Sequence, residues 1–119
     1  MSGIYHFHVN LFANPKDASF ACTWEEAAAQ LKQLPRMIFE PDGSFVVSGG
    51  IRESRWQVDG HLFDFAGSLH RLELHGACPP QAFDSILKCV DWPRQPLMFE
   101  MVREGLTVDE QEFRRGCLT

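Results

Sequence analysis

The sequence predicts a single α+β domain over residues 1–119, with one antiparallel β-sheet of about five to six strands and two main helices packed on one face. Two runs rich in aromatic and branched residues, 55–65 and 69–76, flank the short link Ala66-Gly67-Ser68, a pattern typical of an antiparallel hairpin. Residues 4–12 alternate between apolar and polar side chains, which is the period of a half-buried strand. Apolar residues recur at helical spacing in two further segments.

The first predicted strand covers residues 4–12, and Asn14-Pro15 ends it. Its odd-numbered positions are apolar and its even-numbered ones are mostly polar. The two sets are Tyr5, Phe7, Val9 and Leu11 on one side, and His6, His8 and Asn10 on the other. We therefore expect the first set to face the core.

The first predicted helix begins at Thr23-Trp24-Glu25-Glu26, which fits a capping box. Its apolar face is formed by Trp24, Ala27, Ala28, Leu31 and Leu34. Pro35 stops the helix, because the residue before a proline avoids helical dihedral angles.

A second hairpin is predicted from residues 37–40 and 44–48, which flank the turn Pro41-Asp42-Gly43. In the central ribbon the apolar phase changes between Leu62 and the next aromatic residues. We expect a bulge or tight turn at Asp59-Gly60 to reconcile the two phases.

The second helix opens at Cys78-Pro79-Pro80 and carries an apolar stripe of Phe83, Ile86, Leu87 and Val90. After a loop, residues 97–102 are predicted to form a strand, and Asp109 is predicted to cap a last short helix through Phe113. The predicted order is β-α-β-β-β-β-α-β-α.

Over about residues 4–90, this β-α-β4-α order resembles the element order of TATA-binding-protein-like and helix-grip folds. The resemblance lies in the order of the elements alone. It implies a sheet whose open concave face binds another molecule, although a fold does not define a function.

The chain is acidic, and a cytoplasmic location is expected by default, because no secretory signal is visible. The net charge of −5 argues against a nucleic-acid partner, which would require a basic surface. No apolar run approaches the ~18 residues of a membrane helix, and residues 1–6 lack the basic and apolar regions of a signal peptide. We therefore expect no membrane partner. We also expect free thiols at the four cysteines, Cys22, Cys78, Cys89 and Cys117.

No catalytic or cofactor motif is present, so the expected function is that of a small non-catalytic binding or protein-interaction domain without a cofactor. Its predicted working surface is the polar sheet face that points away from the helices. The predicted ligand-binding residues share that face: His6, His8, Asn10, Arg71, Glu73 and His75. The partner would be a protein or a small ligand.

An alternative is a metal-dependent or acid/base hydrolase that uses the same face. His6 and His8 project from one side of a strand, and His61 or His75 with Glu73 could complete a metal or acid–base cluster. Such an enzyme requires a concave pocket around these groups. Solvated histidines on a sheet face explain the same pattern without any chemistry.

Three further hypotheses concern other residues. Cys22 or Cys78 with a histidine could form a nucleophilic pair, although no family signature surrounds either cysteine. Trp56, Trp92 and the Phe-rich ribbon could line a ligand groove, but core packing is favoured for them. An exposed strand edge, with residues 97–102 as the candidate, could pair with a second copy to give a homodimer.

Overall fold

Seven antiparallel strands form one sheet within the described chain, in the order β2-β3-β4-β5-β1-β6-β7. The computed structural model describes residues 3–16 and 18–117. Residues 1 and 2, which belong to the segment 1–6 that lacks the features of a signal peptide, lie outside the described residues. The strands are β1 (Tyr5–Ala13), β2 (Met37–Phe39), β3 (Ser44–Gly49), β4 (Trp56–Phe65), β5 (Ser68–Cys78), β6 (Leu97–Met101) and β7 (Leu106–Asp109). The helices are α1 (Trp24–Leu31), α2 (Pro80–Lys88) and α3 (Glu110–Cys117). The predicted α+β class is confirmed; the sheet has one strand more than the predicted order, and the last helix is longer than expected.

Strand β1 is an interior strand of the sheet, because it pairs with β5 on one side and with β6 on the other. The predicted alternation is confirmed: the side chains of Tyr5, Phe7, Val9 and Leu11 are all buried. They share one core with buried residues of all three helices, among them Leu31, Phe83 and Phe113. The aromatic rings interlock there, with Phe83 edge-on to Tyr5 and to Phe7. The helices therefore cover a single face of the sheet.

The predicted capping box of α1 is confirmed by two reciprocal hydrogen bonds. The Glu26 amide donates to Thr23 Oγ1 at 3.0 Å, and the Thr23 amide donates to Glu26 Oε1 at 2.8 Å. The helix ends at Leu31, earlier than Pro35 alone would require, and Leu34 still packs against the core from the following turn. The indole of Trp24 donates to the carbonyl of Leu62 at 2.8 Å, which fixes α1 against β4.

The central hairpin is confirmed, but its bulge lies elsewhere than the sequence suggests. Ala66 and Gly67 both have positive φ, as a two-residue hairpin turn requires. Pairing runs without interruption through Asp59-Gly60 and shifts between Phe63 and Asp64, where His70 is the extra residue on β5. The prediction of a bulge at Asp59-Gly60 is wrong. Gly60 instead leaves room for the ring of Phe45 on the neighbouring strand.

Residues 97–102 do not form a sheet edge, so that prediction is also wrong. Strand β6 lies between β1 and β7, and the outer strands of the described sheet are β2 and β7. Asp109 caps the last helix as predicted, since its Oδ1 accepts from the Glu112 amide at 2.9 Å. That helix continues past Phe113 to Cys117.

Arg114 joins α3 to the rest of the molecule. Its guanidinium donates to Asp84 on α2, to Glu110 on its own helix and to the Tyr5 hydroxyl on β1. These acceptors raise the pKa of Arg114 against the opposing effect of burial, which is the largest single influence. No helix in the described ranges is long and apolar enough to cross a membrane.

Gly60→Ala is expected to lower the free energy of unfolding by about 1–3 kcal/mol. A Cβ at this position would lie 2.1 Å from Phe45 Cζ, and the Phe45 ring is itself buried and stacked on Phe39. Equilibrium urea unfolding measures the change.

Gly116→Ala is the matched control, because nothing lies within 4 Å of its added Cβ. In a helix this change favours folding by at most about 1 kcal/mol. A Gly60→Ala protein as stable as the wild type would contradict the packing described here.

Candidate functional site

The sheet face opposite the core carries a polar surface that crosses four adjacent strands. On β1 and β5 the buried positions alternate with exposed or half-buried polar ones. All six residues predicted for the site belong to these two central strands, on the face away from the helix core: His6, His8, Asn10, Arg71, Glu73 and His75. The period of two that buries one set of side chains therefore presents the other set together.

His8, Glu73 and His75 form the first half of this surface. His8 and His75 are direct cross-strand partners, and their rings stack with centroids 4.2 Å apart. His8 Nε2 and Glu73 Oε2 lie 2.9 Å apart, within hydrogen-bonding distance. The side chain of His8 is 22% exposed and that of Glu73 is 35% exposed, so this pair is held in place while remaining accessible.

Asn10 links the three central strands on the same face. Its Nδ2 donates to Glu100 Oε1 on β6 at 3.0 Å, while its Oδ1 accepts from Arg71 Nε on β5 at 3.3 Å. Lys16 extends the surface with an ion pair to Glu100 at 3.8 Å. The amide of Asn10 thus holds a cation on one side and an anion on the other, in fixed positions.

Phe63 belongs to this surface, although the sequence favoured the core for it. Arg71 Cζ lies 3.8 Å from the centre of the Phe63 ring, and the His61 ring stacks on the Phe63 ring with centroids 4.0 Å apart. A signal was present in the sequence, because Leu69 and Leu72 are three residues apart, which breaks the period of two on β5. Placing the bulge there pairs Phe63 with Arg71 on the polar face.

We define the polar network as two clusters of side chains on this face. One cluster is His8, Glu73 and His75, and the other is Asn10, His61, Phe63, Arg71 and Glu100. His6 lies on the same face and is exposed, and within the described chain no hydrogen bond, ion pair or ring contact joins its side chain to these residues. A cavity of about 40 Å³ lies beside His6 and His8. Small-molecule sites usually have volumes of about 300–1,000 Å³. Within the described parts of the chain, no group of three His, Cys, Asp or Glu side chains could hold a metal ion.

The cysteines do not form activated nucleophiles. Burial is the main cause that raises the pKa of Cys78 to about 12 and that of Cys89 to about 11. Burial also raises the pKa of Cys22, assisted by the charge of Asp91. A nucleophilic thiol requires the opposite shift. All four cysteines are free thiols.

The remaining aromatic candidates have different environments. Trp92 is half-buried, packs against the core and donates its indole N–H to Glu110 Oε1 at 2.8 Å. Phe65, at the tip of the central hairpin, is 73% exposed, so the core interpretation is wrong for it. Trp56 is half-buried where β4 begins, and its indole lies against Gly49.

Comparisons with protein-family models, curated proteins and solved structures gave no match to this chain.

Iodoacetamide is expected to modify folded Cys78 far more slowly than an unperturbed thiol. At pH 8 a pKa of about 12 leaves roughly a thousandfold less thiolate than the reference value of 9.0. Mass spectrometry of timed digests gives the rate for each cysteine.

The same protein in denaturing urea supplies the control, since unfolding removes the burial. All cysteines should then react at similar rates. Labelling of Cys78 or Cys89 in the native protein as fast as in urea would contradict the described burial.

Proposed function

We propose that this chain is a small non-catalytic binding domain of the cytoplasm, which recognises a protein partner through the polar network. The observation that carries the proposal is the network itself. Its two clusters lie side by side on four adjacent strands, on the sheet face that points away from the described helices. A fold alone does not define a function, so the chemistry of this face is what supports the proposal.

The shape of the face favours a protein partner over a small ligand. Six spacings of about 4.8 Å make a seven-stranded sheet about 29 Å wide. A face of that width suits a standard protein interface, which covers about 800 Å² on each partner. The cavity beside His6 and His8 is far smaller than a typical ligand site.

The side chains of the network are arranged before any partner binds. Arg71 is held by Phe63 and Asn10, and His8 is held by Glu73 and His75. Side chains that are already ordered lose less conformational entropy on association. Arginine and aromatic residues also dominate the energies of protein interfaces. Cationic and anionic groups alternate here, which would select a partner with the complementary pattern.

The alternative of an acid/base hydrolase rests on the pair His8–Glu73. A carboxylate hydrogen-bonded to a histidine can orient that ring as a general base. The shallow surroundings favour binding, because catalysis requires a pocket that positions the substrate and excludes water.

Photo-crosslinking in cells tests the proposed surface. The residue p-benzoylphenylalanine at His6 would place the probe beside the network at an exposed position whose side chain makes no hydrogen bond or ion pair with the described residues. We expect discrete protein adducts from this position, identified by mass spectrometry, including any adduct with a second copy of the chain. The same probe at Glu25, exposed on α1, should give none of them.

Arg71→Gln in the His6 probe protein should reduce the adducts strongly, whereas Arg115→Gln on α3 should leave them unchanged. Near-UV circular dichroism verifies that each variant is folded. The proposal fails if position 6 gives no discrete adduct, if positions 6 and 25 give the same adducts, or if Arg71→Gln has no effect.

A further inference from the structure

Two cavities of about 350 Å³ each are lined by Trp56 and by no residue of the polar network. The first is an apolar cleft between the segment after α1, the end of β3 and the helix α2. Its apolar lining residues are Leu34, Pro35, Val47, Ala82 and Ile86. The second lies at the start of β4 and is lined by Arg55 and Gln57. Arg36, Ser48, Gly49 and Trp56 line both cavities, so the two spaces share a wall.

The lining of these cavities is positively charged in a chain whose net charge is −5. Among the described residues, no Asp or Glu side chain lines either space. Arg36 and Arg55 form no ion pair with any residue in the described ranges. The guanidinium of Arg36 donates to the Gly50 carbonyl at 2.8 Å, which uses only part of its donor capacity. These two arginines therefore retain donors for an anion.

The backbone is closely packed around the wall that the two cavities share. Gly49 lies under the indole of Trp56, where an added Cβ would approach Trp56 Cζ2 to 2.3 Å. Arg36 has a φ of 57°, a conformation that costs a residue with a Cβ roughly 1 kcal/mol. Strained residues of this kind concentrate at ligand sites. The Trp56 indole N–H makes no hydrogen bond with the part of the chain that the structure describes.

We propose that the two cavities beside Trp56, together called the Trp56 cleft, bind a small aromatic carboxylate. Its ring enters the apolar cavity, and its carboxylate pairs with Arg36 and Arg55. A volume of about 350 Å³ is near the lower limit of typical ligand sites, which suits a small molecule. Arginine binds carboxylates through two parallel hydrogen bonds. The indole supplies a flat surface for an aromatic ring and an additional donor.

Titration with 2-naphthoate, followed by two-dimensional nitrogen–proton NMR, tests this site. We expect the Trp56 indole resonance to shift with saturation, without comparable shifts at Trp24 or Trp92. The neutral analogue 2-naphthalenemethanol should bind at least about tenfold more weakly, because it lacks the charge-assisted hydrogen bonds.

Arg55→Gln should weaken naphthoate binding by about tenfold or more, while binding of the neutral analogue stays unchanged. Arg55 is exposed and makes no ion pair with the described residues, so its replacement should leave the fold intact. Arg115→Gln is the matched control and should bind naphthoate like the wild type. The dispersion of the NMR spectrum confirms folding in every variant.

Three results would overturn the proposal: no saturable shift at Trp56, equal affinity for naphthoate and the neutral analogue, or unchanged affinity in both Arg55→Gln and Arg36→Gln. Because the cleft shares no residue with the polar network, each outcome is independent of the protein-binding proposal.

Discussion

The period-two alternation of β1 and β5 is the constraint on which the rest of the structure depends. β1 is an interior strand that pairs with both β5 and β6, so its register cannot shift without breaking both pairings. Burying each of its large apolar side chains contributes about 1.5–3 kcal/mol. A shift of one residue would expose Tyr5, Phe7, Val9 and Leu11 and bury His6, His8 and Asn10. The core therefore sets the positions of the polar residues on the opposite face.

This coupling explains why the polar side chains lie together on one face. Asn10 can reach both Arg71 and Glu100 because its two neighbouring strands hold those residues on the same face. The bulge at His70 then brings Phe63 opposite Arg71. On the other face, Arg114 fixes α3 against α2 and β1, which completes the helical layer over the core. The register of β1 and β5 therefore determines both the buried core and the polar face. The Trp56 cleft differs, since its lining comes from the segment after α1, the end of β3, the start of β4 and the helix α2.

Much of this arrangement could be predicted from the sequence where the signals are local. The capping box at Thr23, the alternation of β1 and the Ala66-Gly67 turn depend on neighbouring residues. The bulge was misplaced because an extra residue can be accommodated on either strand of a hairpin, and only the spacing of Leu69 and Leu72 identified β5. The interior position of β6 was missed because it depends on β7, a four-residue strand with little apolar pattern. The arginines of the cleft could not be predicted, since their proximity arises from packing of distant segments.

Nuclear Overhauser contacts of the His8 ring test the central claim most directly, because His8 belongs to the polar network and lies on the interior strand β1. We expect contacts from this ring to the side chains of His75 and Glu73, and none to residues of α1, α2 or α3. Contacts between the His8 ring and any of these helices would mean that the polar face is covered, and would contradict the account.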